Sequence, residues 1–186
     1  MKDFEQLKHL LKLKNVERHG EVGSRMESTA EHTWACMIVA EHFLKVIKQP
    51  LDELKVMKLI LYHDLVEIEC GDVDILDEEG RKNKKEEEKT GAVSLAKKIP
   101  GSISADFLEY FNEYEAQETL EAKFALAIDK LEPMVHWMLY HPDKIKRHGW
   151  TEALVREKKH KYFEPFPELV VFLDEWLEHV KEGNHF

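Results

Sequence analysis

Residues 51–68 read LDELKVMKLILYHDLVEI. Leu54, Met57, Leu61 and Leu65 recur there at steps of three and four, the period of an amphipathic helix. The spacing predicts one helix over Leu51–Ile68, ended by Gly71. His63 and Asp64 fall late in it, and Glu67 stands one helical turn beyond His63. Adjacent side chains cannot share one narrow helix face. His63 and Asp64 can therefore converge on an ion only at a helix end or between helices.

The helical pattern continues on both sides. Asp3 is a candidate N-cap for a helix over Phe4–Lys14 with an apolar stripe of Phe4, Leu7, Leu10 and Leu11. Ser28 and Glu31 form a Ser-x-x-Glu capping box for a second helix, with Trp34, Met37, Ile38 and Leu44 on its apolar face and Pro50 as its stop. His32 lies in the first turn of that helix. Phe107, Leu108, Phe111 and Tyr114 suggest a further helix after Pro100-Gly101. Thr119 caps the next, where Phe124, Ile128, Leu131, Val135 and Met138 mark a buried stripe with Asp129 beside it. Two more helices are expected near 151–163 and 167–181, with Pro167 suited to a first turn. The charged run at 77–90, including Arg81, Lys82, Lys84 and Lys85, reads as a solvated helix face or a lid. No strand pair, repeat or linker is legible. The expected fold is all-α, a single domain over residues 1–186.

Composition agrees. Gly (8) and Pro (6) are scarce in 186 residues of which 43% are hydrophobic, a balance that favours helices and a real core. A formal net charge of −10 disfavours binding to a nucleic-acid polymer. No apolar run approaches the roughly 20 residues that span a bilayer, and Met1–Glu5 has no signal-peptide core. Cys36 and Cys70 are the only cysteines, which argues against a disulfide framework and for a reducing cytoplasm.

His32, His63, Asp64 and Asp129 offer two nitrogens and two oxygens from three separated helices. Imidazole and carboxylate suit a divalent transition metal such as Mn, Co, Ni, Fe or Zn, with positions left for water and substrate. Asp72 follows a glycine that permits a sharp turn. Singly each signal is ambiguous, since a lone helical histidine is more often structural than a ligand. So many acids around an apolar-flanked His-Asp pair would be costly without a cation.

Arg25–His32 (RMESTAEH) resembles the first motif of HD-domain hydrolases of the 5′-deoxynucleotidase type. His63–Glu67 with Gly71-Asp72 resembles the second. Glu113–Glu115, Thr119, Glu121-Ala122 and Ala127–Lys130 resemble the third. The likeness covers roughly residues 10–135, with the helices at 150–181 expected to pack on that core. It implies an HD-type helical bundle with His32, His63, Asp64 and Asp129 as metal ligands. Glu67 would activate or orient the attacking water, Asp72 would be a second catalytic acid, and Arg18 would contact phosphate. Deoxyribose-selective relatives often carry Trp just after this Arg or after the following Gly, where this chain has His19 and Glu21. His19 is therefore a candidate sugar contact, and weaker deoxyribose preference is expected. No histidine occurs between Asp64 and Asp129, unlike the dinuclear branches.

The resemblance thus implies a metal-dependent phosphomonoesterase acting on a small phosphorylated substrate, a (deoxy)nucleoside 5′-monophosphate. The alternatives are an HD phosphohydrolase of phosphodiesters or nucleoside triphosphates, and a non-catalytic nucleotide-sensing module. A homodimer is expected because relatives often are dimers, with Phe163, Phe166, Phe172 and Trp176 offering an apolar patch. Trp137 and Trp150 read as packing residues, and His136 as structural.

Overall fold

A computed structural model describes residues 2–73 and 82–186. Helix α1 (Lys2–Leu10) passes into a 3-10 turn at Leu11–Asn15, so the helix expected to Lys14 tightens at its end. Phe4, Leu7 and Leu11 stay exposed, and Leu13 is the residue buried instead. A hairpin follows, with β1 (Glu17–Val22) antiparallel to β2 (Arg25–Ser28), Val22 facing Arg25 and Glu21 facing Met26. This corrects the strand-free expectation. The strands read ERHGEV and RMES and lack apolar alternation, which is why period-two patterning missed them. The local signal was Gly23, whose φ of +63° opens a two-residue turn.

Ser28 ends β2 and caps α2 (Thr29–Leu44) through the expected capping box. Helix α3 spans Glu53–Tyr62, capped by Asp52. The chain then turns at residues 63–66 before the short α4 (Glu67–Cys70), which Gly71 ends at φ +75°. The helix expected over Leu51–Ile68 is thus broken at His63-Asp64. Its buried face also differs. Val56, Leu59 and Ile60 enter the core, while Leu54 and Leu61 are 69% and 44% exposed. This segment is apolar on nearly every side, so periodicity alone could not choose the face.

The remaining helices are α5 (Lys84–Ala96), α6 (Gly101–Ala116), α7 (Leu120–Tyr140), α8 (Pro142–Arg147), α9 (Glu152–Phe163) and α10 (Pro167–Glu182). Residues 77–81 of the charged run, Arg81 among them, lie outside the described residues; its later part opens α5. Phe124, Ile128 and Leu131 on α7 share one core with Cys36 and Phe43 of α2, Leu59 of α3, and Phe163, Phe166, Leu173 and Trp176 from the C-terminal helices. Phe163, Phe166 and Trp176 are therefore buried and do not form a surface patch. Trp34 and Ile38 of α2, expected to face inward, are 65% and 55% exposed.

A second core cluster joins Leu13, Tyr62, Leu65, Val66, Leu95, Phe107 and Phe111. The turn at 63–66 lies where the two clusters meet, with Ile60 in one and Leu65 in the other. Burying a side chain of that size contributes roughly 1.5–3 kcal/mol, so the turn is pinned on both sides. Among the described residues, no helix is long and apolar enough to cross a membrane.

Candidate metal centre and substrate cavity

The break after α3 turns His63 and Asp64 towards α2 and α7. His32 Nε2 lies 3.1 Å from Asp129 Oδ1 and 3.8 Å from Asp64 Oδ2. His63 Nε2 lies 3.1 Å from Asp64 Oδ2 and 3.9 Å from Asp129 Oδ1. The four expected ligands therefore meet at one point. The other imidazole nitrogens are occupied. His63 Nδ1 donates to the Ile60 carbonyl at 2.7 Å, and His32 Nδ1 donates to Glu132 at 2.8 Å. Each bond turns an Nε2 lone pair towards the cluster.

The carboxylates are held from outside. Asp129 Oδ2 accepts from Tyr114 Oη at 3.0 Å and from Lys130 Nζ at 2.7 Å, and Asp64 Oδ2 accepts from Arg18 Nη1 at 3.1 Å. Burial works against ionisation of Asp64 and Asp129. Even so, His63 and Arg18 hold Asp64, and Lys130 and His32 hold Asp129, below the usual carboxylate range. Glu67 is different. It accepts from Thr29 Oγ1 at 2.7 Å, and burial followed by the charges of Asp64 and Asp72 pushes it up to about 9.

These residues fit a divalent metal. His63 Nε2 is buried and makes no hydrogen bond, although Asp64 Oδ2 is only 3.1 Å away. A buried imidazole nitrogen without a hydrogen bond, between two carboxylates, suits a cation ligand. Donor atoms about 2.1 Å from an ion lie about 3.0 Å apart at a right angle and about 3.4 Å apart at the tetrahedral angle. The spacings of 3.1 to 3.9 Å are close to that scale. The Cys36 thiol, 3.5 Å from His32 Nε2, is pushed up to about 11 by burial and so forms a protonated wall.

A cavity of about 400 Å³ opens beside the cluster, with Arg18, His19, Asp64, Glu67, Asp72 and Asp129 on its walls. The expected water-activating and phosphate-binding residues thus share one space with the metal cluster. Arg18 sits between Asp64 and Glu27, its Nε 3.7 Å from Glu27 Oε2. Burial lowers its pKa, but Asp64, Asp72 and Glu67 raise it more, so it stays a guanidinium. His19 Nδ1 is 3.8 Å from Asp72 Oδ2. Glu21 does not line this space; it pairs with Lys144 and His141, each at 3.2 Å, and ties the hairpin to the C-terminal half.

Several residues were missed from sequence. Glu132 backs His32, Tyr114 and Lys130 hold Asp129, and Thr29 holds Glu67. Glu132 lies one turn from Asp129 on α7, a spacing too common on helices to single it out. Thr29 carried no signal of its own. His136 has Nε2 3.1 Å from the Glu21 carbonyl and Nδ1 3.5 Å from Glu27 Oε1, and it lines the cavity. Trp137 and Trp150 contribute to the cavity wall as well as to packing.

Comparison with known proteins gives a consistent result. Residues 10–170 match the model of a family described as HD domain. The chain is 29% identical over 175 residues to the 5′-deoxynucleotidase HDDC2 of Bos taurus, covering 92% of this chain and 82% of that one. It is 26% identical over 156 residues to the protein of the same name from Xenopus laevis, covering 82% and 76%. A solved structure described as a predicted metal-dependent phosphohydrolase from Magnetospirillum magnetotacticum superposes with a TM-score of 0.84 at 27% identity, over 100% of this chain and 96% of that one. An HD-domain phosphohydrolase from Listeria innocua shares the fold, with a TM-score of 0.62 at 18% identity over 95% and 97% of the two chains.

Proposed function

Because the chain belongs to the HD domain family of metal-dependent phosphohydrolases, we propose that it hydrolyses (deoxy)nucleoside 5′-monophosphates at the His32, His63, Asp64 and Asp129 cluster. The observation that carries this is the meeting of four ligand-type atoms at one point, with Glu67, Asp72 and Arg18 on the same cavity. Mn, Co, Ni, Fe or Zn would suit these donors. A bound divalent metal supplies Lewis acidity, lowering the pKa of water and screening phosphate charge.

The chain's own residues do the rest. Arg18 has five N–H donors; the Asp64 contact engages one and Nε faces Glu27, which leaves donors on the Nη atoms to hold phosphate oxygens. Glu67 is fixed through Thr29 on the cavity wall, where its carboxylate would orient or deprotonate the attacking water. Asp72 assists the departing 5′-oxygen. His19, on the cavity wall, would contact the sugar.

The shared core of motif-bearing and C-terminal helices supports one domain over residues 1–186. Two free cysteines are consistent with the cytoplasm. Trp34 and Ile38 on α2 and Val135 and Leu139 on α7 are exposed, and apolar surface of this kind supports a homodimer. Sedimentation that gives only the 21.9 kDa chain at micromolar concentration contradicts the dimer. The test of function is phosphate release from nucleoside mono-, di- and triphosphates and a phosphodiester, after metal stripping and re-addition. Metal-dependent release confined to monophosphates is expected. Preference for triphosphates or diesters favours the other hydrolase class, and nucleotide binding without turnover favours a sensing module.

A further inference from the structure

One end of the cavity is aromatic and takes no part in the phosphate chemistry. Helix α7 runs along the cavity, contributing Asp129 near one end and Trp137 eight residues further on. At 1.5 Å per residue these positions are about 12 Å apart along the helix axis. At Trp137 three rings meet. His148 lies at 6.2 Å and 29° to it, and Trp150 at 6.0 Å and 77°. All three line the cavity. Trp150 is anchored by its backbone N–H, which donates to the Ile145 carbonyl at 3.0 Å.

A tryptophan that served only to pack would be sealed by its neighbours. Trp137 and Trp150 instead present surface to a space that is continuous with the acidic cluster. The cavity thus joins a cation-binding, phosphate-holding end to a ring-lined end about 12 Å away. A ligand that fills it carries phosphate at one end and a flat apolar ring at the other. Resting on the nucleoside monophosphate reading above, the geometry points to Trp137 and Trp150 as the nucleobase subsite, which grips the base through ring contacts. These two residues make the enzyme demand a base and not merely a sugar phosphate. Lys130 and Lys159 also stand on the cavity wall, where Lys159 Nζ donates to the Lys130 carbonyl at 3.0 Å.

The test uses the metal-loaded full chain with Trp137→Leu, Trp150→Leu and Trp137→Phe. Two quantities are read: the ratio of kcat/KM for thymidine 5′-monophosphate to that for ribose 5-phosphate, and the affinity for thymidine by equilibrium dialysis. Contact between a base and an aromatic side chain has a size that predicts a tenfold to hundredfold fall in the ratio for each Leu variant, to within about an order of magnitude. Thymidine affinity falls in parallel, and Trp137→Phe keeps most of both. A ratio and an affinity within about twofold of wild type in both Leu variants overturn the subsite while leaving the monophosphate reading intact. Wild-type protein that cleaves no nucleotide but binds thymidine through Trp137 keeps the subsite and removes that reading. Wild-type protein that does neither removes both. If a Leu variant does not fold, Trp137→Phe and wild-type dialysis still decide the matter: absence of thymidine binding to the wild type overturns the subsite.

Discussion

Glu132 is the most informative residue to change, because nothing in the sequence singled it out. Its Oε2 accepts from His32 Nδ1 at 2.8 Å, in a place where both side chains are buried. This bond fixes the imidazole with Nε2 facing Asp129 and Asp64. In Glu132→Ala the Nδ1–H loses its partner in a buried setting, and the ring is freed to turn. A charge-assisted hydrogen bond of this kind contributes roughly 1.5–3 kcal/mol. At about 1.4 kcal/mol per factor of ten, metal affinity falls about tenfold to hundredfold, as outer partners of metal-binding histidines typically show. Glu132→Gln keeps an acceptor oxygen and loses only the charge, so its fall is smaller, about tenfold or less. Competition against a chromogenic chelator at one pH measures all three proteins. An affinity for Glu132→Ala within about twofold of wild type would refute the positioning role.

Glu67→Gln is expected to retain metal while losing about a hundredfold or more in turnover, since its task is proton transfer; metal loss equal to that of an Asp64 variant would assign it to the ligand shell. In metal-free protein Glu67 has a folded pKa of about 9 against an ordinary 4.5, so the folded state holds the extra proton between these values. Its stability contribution is complete below about pH 4.5 and is lost as pH rises towards 9, with a slope of at most about 1.4 kcal/mol per pH unit; urea titrations of metal-free wild type and Glu67→Gln check this, and equal pH slopes contradict it. With His19 on the cavity wall in place of tryptophan, dAMP and AMP should be hydrolysed at comparable rates. A kcat/KM ratio above about 100, roughly 2.7 kcal/mol, contradicts that expectation.

The helices were largely legible because their signals are local. Ser28 with Glu31, Thr119 and Pro167 mark helix starts by hydrogen bonding and backbone geometry that need no tertiary context. The His-Asp pair called for a helix end or a site between helices, but the helix was expected to run on to Ile68, whereas α3 ends at Tyr62. What was not legible depends on packing between distant segments. The buried face of α3 was ambiguous because Val56, Met57, Leu59, Ile60 and Leu61 leave few polar positions to mark the outside. The hairpin at 17–28 is polar, and it is held in part by the Thr29 N–H donating to the Val16 carbonyl at 2.9 Å, which no pattern announces. Glu132, Tyr114 and Thr29 became visible as site residues only once α2, α6 and α7 were brought together.

The central claim is that His32, His63, Asp64 and Asp129 hold the metal on which hydrolysis depends, and Asp64→Ala tests it most directly. Metal content after reconstitution is measured by elemental analysis on the same samples used for phosphate release from a nucleoside 5′-monophosphate. Asp64 faces His63 at 3.1 Å and His32 at 3.8 Å, and none of the other expected ligands can replace its oxygen. The account predicts loss of both stoichiometric metal and activity in a protein that remains helical by circular dichroism. Folded Asp64→Ala protein that retains a full equivalent of metal and hydrolyses at the wild-type rate would contradict it.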